Sequence, residues 1–585
     1  MSKSLHQKLR INILFVSLML YTSLCAQDVE QKYDEIKNRL NEKPIQWNGM
    51  LNADGSSYHS YGITGRAVPY LGRLSALINL DIYGINIGGS ANLSSGGSVF
   101  NTVLPAYTFI GISPSYKWAT LHLGTRTMPL GKYTFNNHSF NGIGFELKPG
   151  QWRFATFYGN LRRARPEDFL SIQRIEPIFR RTGCGMKGGF DNGKDVFLVS
   201  LFKAWDNPNS IPAPDSSFQI FPSENVIISL ETVKAISSKI NLKAEYAQSG
   251  FTENRIINAA TNTSFIRSYA GLLETNESTR WNQAFDIGLH LTLKKANLSV
   301  QYERIDPGFR TMGALFFLDD LENIHMGIKF RVWKNRVQIS GKAGVQKNNL
   351  DGNQVNKYSR FVGFGMFNFQ ITERINLYGS ASSFNNVVFR SSIQDVNSPL
   401  TVTELVLNNE DYNLGASYLV QKSQRLQGNL QLNFNYSKGL TIENDIIQSD
   451  ANTQASNLMA YYTLQFVPSK WGLTIMGGRQ AISFGSTRNQ NVITGIGVNK
   501  TLFRDLISIG FNSNISFNKQ WMDEALNASG QLINMGISVS YKINESMQLI
   551  FNSMFLSNNT TDIQNIQRHF GELRSSLVFT YRFKS

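Results

Sequence analysis

Arg425-Leu-Gln-Gly-Asn-Leu-Gln-Leu-Asn-Phe-Asn-Tyr436 alternates without a break. Leu426, Gly428, Leu430, Leu432, Phe434 and Tyr436 fall on one side, and Arg425, Gln427, Asn429, Gln431, Asn433 and Asn435 on the other. A period of two sends successive side chains to opposite faces of a β-strand, so the run has one apolar and one polar face. The pattern recurs along the chain. Phe285, Ile287, Leu289 and Leu291 alternate with Asp286, Gly288, His290 and Thr292, and Ile324, Met326, Ile328 and Phe330 with His325, Gly327 and Lys329. A soluble sandwich also alternates. Length separates the two: many of these runs continue for roughly 10 to 14 residues, nearer a tilted membrane strand of about 9–11 than an ordinary strand of about 5–6.

The spacing between runs carries a second signal. Read back from the C-terminus, Leu556–Phe570, Asn518–Ala525, Ile482–Asn489, Lys438–Ala455 and Asn385–Asp411 are long connections. Between them lie the short ones, Lys542–Glu545, Leu502–Asp505, Pro468–Lys470 and Lys422–Gln424. The alternation continues upstream through Ser249–Arg280 and Leu161–Arg180. Short turns on one rim and long loops on the other describe an outer-membrane barrel. Trp118, Trp152, Trp333 and Trp471 fall at short-turn ends and Trp205, Trp281 and Trp521 at long ones, as two aromatic belts require. The expected fold is all-β: a large antiparallel transmembrane β-barrel over 45–585 with short periplasmic turns and long extracellular loops. The strand count is about 26, within a range of roughly 22 to 26.

Composition agrees. Of 585 residues, 42% are hydrophobic and only 17% charged, against about 25% in a soluble domain, and aromatics reach 12%. Beyond the first 30 residues no apolar run approaches the ~18 needed for a membrane helix. Residues 1–26 have a basic start (Lys3, Lys8, Arg10), the apolar stretch Ile11–Leu24 and Ala26 before Gln27, which reads as a cleaved signal peptide. Its removal lowers the net charge from +15 to +12 and leaves Cys184 as the single thiol. Val29, Tyr33, Ile36 and Leu40 then follow helical spacing, so 27–44 is expected to hold a short periplasmic helix. Leu577, Phe579, Tyr581 and Phe583 close the chain as the outward face of a last strand, the kind of end that barrel-assembly machinery recognises.

Gly111-Ile-Ser-Pro-Ser-Tyr-Lys-Trp-Ala-Thr-Leu-His-Leu-Gly124, then Tyr133, Gly142–Leu147, Pro149-Gly150, Arg153-Phe154 and Phe157-Tyr158-Gly159, resemble a family of outer-membrane β-barrels from Bacteroidota-type bacteria. The resemblance covers about 50 residues closely. It implies an outer-membrane barrel and brings no substrate, cofactor or catalytic residue with it.

No HExxH, CxxC, GxSxG, P-loop or dinucleotide-binding pattern occurs in a suitable context, so neither an enzyme nor a cofactor is expected. The histidines are scattered; His290 and His325 belong to polar strand faces and should point into the lumen. The most distinctive charge feature is Leu161-Arg-Arg-Ala-Arg-Pro with Arg174, Arg180 and Arg181, in a long connection interrupted by Glu167, Asp168 and Glu176. Folded inward, Arg162, Arg163, Arg165, Arg174, Arg180 and Arg181 would make an anion-favouring constriction. Folded outward, they could grip lipopolysaccharide phosphates; a solvated, partly self-paired loop is the plain alternative. Lys329 and Arg331 are candidate anion contacts on the lumen wall, within a modest positive bias that includes Lys243, Lys294, Lys342 and Arg425 against Glu245, Asp286 and Glu303. The surface is expected to meet lipid and lipopolysaccharide and no nucleic acid, despite a pI near 9.5. Two functional readings stay open: a porin-like channel with a polar, mildly basic lumen, and a non-conducting platform holding a secreted or adhesive protein.

Overall fold

The computed structural model describes residues 45–95, 109–136, 138–167, 176–258, 268–314, 317–353, 359–392, 401–443, 446–447 and 451–584. The signal peptide expected over 1–26 and the helix expected over 27–44 both lie outside these residues. The sheet opens with β1 (Ile45–Tyr61), β2 (Tyr70–Ile82), β3 (Ile85–Ser94), β4 (Phe109–Tyr116) and β5 (Ala119–Thr127). Next come β6 (Ser139–Leu147), β7 (Trp152–Arg162), β8 (Arg180–Asp191), β9 (Val196–Asn207), β10 (Glu224–Ala235) and β11 (Ile240–Thr252). They are followed by β12 (Thr279–Thr292), β13 (Ala296–Ile305), β14 (Leu321–Val332), β15 (Val337–Lys347), β16 (Ser359–Gln370) and β17 (Ile375–Ser392). The longest strand is β18 (Thr401–Lys422); β19 (Leu426–Glu443) carries the two-residue β20 (Ile446–Ile447) on its end. The sheet finishes with β21 (Thr453–Phe466), β22 (Trp471–Phe484), β23 (Thr487–Leu502), β24 (Ile507–Met522), β25 (Ala525–Lys542), β26 (Met547–Asp562) and β27 (Gln567–Lys584).

Each strand pairs antiparallel with its neighbours, and β1 pairs with β27 from Asn48↔Lys584 to Tyr61↔Gly571. With β20 set aside, this closes a 26-strand barrel and leaves no free edge. Alternation orients it. Ile324, Met326, Ile328 and Val332 of β14 are exposed on the outside, as are Leu432 and Phe434 of β19 and Ile496 and Phe511 of β23 and β24. Exposed apolar side chains all round a closed sheet are stable only against lipid tails. Trp118, Trp152, Trp333 and Trp471 lie exposed at the short-turn rim, where the expected belt runs, and Trp47 joins them. Cys184, opposite Tyr158 and Lys203, takes an outward position and is half-buried.

One expectation is corrected on the long-loop rim. Ile482–Asn489 and Asn518–Ala525 are mostly strand, joined by two-residue turns at Gly485-Ser486 and Asp523-Glu524; Leu556–Phe570 contains only a four-residue connection. Much of Asn385–Asp411 is likewise strand, because β17 reaches Ser392 and β18 begins at Thr401. The reason is physical. Beyond the bilayer both faces meet water, so over Ser557–Asp562 and Asn518–Gln520 the strands continue with polar residues on both sides and the apolar signal that marks a strand disappears. Asp523 and Glu524 both have positive φ (48° and 65°), the geometry of a tight hairpin turn that follows the sheet's twist.

Connections between β5 and β14 behave differently. Residues 128–136, 306–314 and 317–320 turn inward and pack on the lumen wall. The segment containing Tyr269 and Leu273 folds outward over Val226, at the outer face of β10. Gly250, opposite Val226, makes room for it: a Cβ there would meet the Tyr269 ring at 2.5 Å.

Candidate functional site

The lumen has two unlike halves. On one side, Phe140, Phe157, Leu161, Phe202, Ala204, Ile227, Ala247, Ala284 and Ile305 face inward from β6 to β13 and are almost fully buried. What covers them is the segment 128–136, through Met128, Leu130, Tyr133 and Phe135, and the segment 306–314, through Phe309 and Met312. Phe135 stacks against Phe157 (centroids 4.5 Å) and Phe202 (5.6 Å), and Tyr133 meets Phe309 and Phe317 edge-on, each at 6.2 Å. Polar bonds lock the two segments together and to the wall. Thr311 Oγ1 donates to Thr134 O (2.7 Å), Asn136 N to Gly313 O (3.0 Å), Met312 N to Asn225 Oδ1 (3.0 Å) and Ser249 Oγ to Arg310 O (2.7 Å). The inward wall residue Gly185 has no side chain because a Cβ there would drive into Leu130 Cδ1.

Below this core runs a polar network. Lys132 Nζ reaches Asp286 (2.5 Å) and Glu303 (2.7 Å), and the Tyr133 hydroxyl donates to Glu303 (2.9 Å). Asn323 donates to the second Glu303 oxygen (3.0 Å), Gln301 to Asp286 (2.6 Å), and His325 Nε2 and Lys342 Nζ contact Gln301 Oε1 (2.8 and 3.3 Å). Burial by itself would lower the pKa of Lys132, but Glu303 and Asp286 outweigh it and hold the ammonium above its ordinary value. His290 and His325 both take lumen-facing positions, opposite Ser299 and Gln301 respectively, and no group of metal-ligating residues forms among the described residues.

The expected arginine cluster divides. Arg162 and Arg181 face each other across β7 and β8 and turn onto one carboxylate, Asp206 of β9. Arg181 grips it with two bonds (Nε 2.9 Å, Nη2 3.1 Å), Arg162 Nη2 lies 3.4 Å away, and Asp206 is only 2% exposed. Arg165 Nη2 donates to Glu176 O (2.5 Å), Arg163 and Arg180 are exposed, and Arg174 lies outside the described residues. Sequence spacing found the cations but missed Asp206, more than 20 residues downstream of them.

His138 closes the inward segment beside this cluster, its Nδ1 donating to Ser139 O (2.7 Å). Burial lowers its pKa from the ordinary value of 6.5, and Arg181 and Arg162 add to the effect. A histidine depressed in the packed state is neutral in both states above its ordinary pKa. As pH falls below that value the detached form takes up the proton first, so packing of 128–138 weakens with acidification. A spin label at position 136, on a Cys184→Ser background, should gain mobility as pH drops below about 6.5. The gain should vanish in His138→Gln; equal gains in both proteins refute the assignment.

The opposite half of the lumen carries no charge over a wide area. The inward positions from Gln427 to Asn435 in β19, Asn457 to Gln465 in β21 and Gly472 to Gln480 in β22 are amides, hydroxyls, glycines and a few neutral larger residues. The same holds from Asn489 to Asn499 in β23, Gly510 to Gln520 in β24 and Gly530 to Ser540 in β25. Between the halves, Lys329 and Arg331 of β14 face the lumen, exposed and with no carboxylate partner among the described residues. Lys294 and Arg425 sit in short turns rather than on the wall.

A polar lumen inside an apolar, aromatic-belted cylinder has one setting. The chain is a transmembrane β-barrel of the outer-membrane type. No family model and no curated protein matches it. Among solved structures, the translocation pore of the P pilus usher PapC aligns over 92% of this chain and 99% of its own, at 10% identity and a TM-score of 0.40. The ferric yersiniabactin uptake receptor FyuA from Yersinia pestis aligns over 92% and 80%, at 8% identity and 0.36. OccAB2 from Acinetobacter baumannii aligns over 66% and 97%, at 8% identity and 0.28.

Proposed function

We propose that this barrel is a porin-like channel for polar solutes. The observation that supports it best is the uncharged amide and hydroxyl wall from β19 to β25, which a barrel built only to close on itself has no need of. A wall of neutral donors and acceptors replaces hydration-shell bonds without trapping an ion. The charges of the other half largely cancel within Lys132–Asp286–Glu303, Arg181–Asp206 and Lys187–Glu231, leaving cations that include Lys243, Lys329, Arg331 and Lys342 as the lumen bias. The channel should therefore pass cations and anions with a weak preference for anions. Single-channel recordings in a planar bilayer, with reversal potentials in a salt gradient, test this. Stable steps with a small anion-directed reversal are expected; silence from a β-rich, heat-modifiable preparation overturns the channel reading.

The platform reading draws on one observation, the 14 to 22-residue strands from β17 to β19 and β21 to β27, longer than the roughly 9–11 residues a tilted strand needs to cross a bilayer. It predicts that a secreted protein is recovered with the barrel from intact membranes; recovery of the barrel alone removes it.

A further inference from the structure

Register places a graded row of side chains across the inner face of five strands. Arg331 of β14 lies opposite Gln338 of β15, which lies opposite Asn368 of β16, then Tyr378 of β17 and Gly415 of β18. Together with Lys329, two residues away on the same face, Arg331, Gln338, Asn368 and Tyr378 line a recess of about 440 Å³ on the lumen side. Tyr378 is fixed in an unusual way for a lumen aromatic. Its ring lies over Gly415, where a Cβ would collide with it, and its hydroxyl donates to Asn433 Oδ1 at 2.6 Å. One ring face is thus held against the wall and the other is turned to the lumen.

The remaining groups are unspent. Lys329 and Arg331 have no carboxylate partner, and the side-chain amides of Gln338 and Asn368 make no hydrogen bond among the described residues. This contrasts with β12 to β14 next door, where Asp286, Gln301, Glu303 and His325 are all bonded to one another or to Lys132. Three strand spacings separate Arg331 from Tyr378, ~14 Å, the reach of a short oligosaccharide. A flat aromatic face accepts the C–H face of a sugar ring, free amides match hydroxyls in both donor and acceptor roles, and a guanidinium pairs two-pronged with a carboxylate or sulfate. A few convergent polar groups around one apolar platform is how orientation is fixed in a binding recess.

We propose that this recess is a binding site for an anionic oligosaccharide, with Lys329 and Arg331 holding an acid group and Tyr378 stacking on a sugar ring further along the chain. The inference rests on the lumen being open to solutes, as in the channel reading, but not on net conduction.

Isothermal titration of the full barrel in detergent tests it, with trigalacturonate as the anionic probe, maltotriose as the neutral one and sodium sulfate as the bare anion. Trigalacturonate should bind more tightly than either control. The double variant K329Q/R331Q should weaken it about tenfold or more, the loss expected for charge-assisted hydrogen bonds. Y378A should weaken it as well, while both variants keep heat-modifiable mobility. No binding of trigalacturonate by folded barrel overturns the proposal. So does equal binding of maltotriose or of sulfate, or indifference to K329Q/R331Q. Binding with a silent bilayer removes the channel reading and keeps the site; conductance without binding removes the site and keeps the channel.

Discussion

Truncating Phe135 to alanine should release the inward segment while leaving the barrel closed. Phe135 is fully buried, stacked on Phe157 and Phe202 and within 5.6 Å of the His138 ring. Removing a buried phenylalanine costs about 3–5 kcal/mol where the site cannot collapse. Here the wall side of the cavity is a hydrogen-bonded ladder and cannot move in to fill it. The barrel's own ladders make no use of Phe135, so the cost falls on local opening, which should become more frequent by on the order of 10²–10³-fold. Trypsin reports this directly. Lys132 is held on Asp286 and Glu303 in the native protein and should be cut rapidly in Phe135→Ala. Hydrogen exchange of 128–136 should accelerate while β22 to β26 stay protected, and mean single-channel conductance should rise as the segment leaves the wall. Unchanged cleavage at Lys132 would mean that the segment is held by its polar bonds to 306–320 rather than by the aromatic core.

How much of this was legible follows from where the two-residue period holds. In β19 it is unbroken, Leu430, Leu432 and Phe434 outside against Asn429, Gln431 and Asn433 inside, and the barrel, its orientation and the short turns follow from it. In β9 the period fails: Phe197-Leu-Val-Ser-Leu-Phe202 is apolar on both faces. Such a run marks a strand covered on both sides, and the cover was also present in the sequence. Met128, Leu130, Tyr133 and Phe135 crowd a connection that a solvated loop would fill with polar residues. Neither observation names the other, because pairing a lumen wall with the segment that covers it needs three-dimensional placement. The lumen charges show the same boundary. Alternation put Lys329 and Arg331 on the inner face, and they stand there unpaired. The same reasoning could not reveal that Lys132 neutralises Asp286 and Glu303, since Lys132 belongs to no strand.

The packed half-wall has a consequence for how the lumen is tuned. A barrel of this circumference encloses far more space than a small solute needs, and inward loops are one means of narrowing it. By burying aromatic surface on one side, segments 128–136 and 306–314 leave the neutral wall as the face that a passing solute meets. Selectivity then depends less on total lumen charge than on which charges those segments neutralise. The wall also masks charges of its own: Asp206 of β9 neutralises Arg162 and Arg181 of β7 and β8.

Asp206→Ala should convert a silent ion triplet into an anion site. Arg162 and Arg181 are directly cross-strand, and like charges in that arrangement repel; Asp206 is what permits the pairing. Its carboxylate takes two bonds from Arg181 and lies 3.4 Å from Arg162, whose Nε is buried without an acceptor. Removing one partner of a buried ion pair costs about 3–5 kcal/mol because the other charge is left uncompensated. An anion from solution can recover part of that loss, about 2.7 kcal/mol when present at 100 times its dissociation constant. Asp206→Ala should therefore melt well below the native protein in chloride and regain much of the difference in sulfate, while the native protein responds little. In bilayers its reversal potential should shift toward anions, since two lumen cations are unmasked. Adding Arg181→Gln should abolish both the sulfate response and the shift. A variant that is destabilised but indifferent to sulfate, with native selectivity, would place Arg162 and Arg181 out of reach of the conduction path and make Asp206 purely a packing residue.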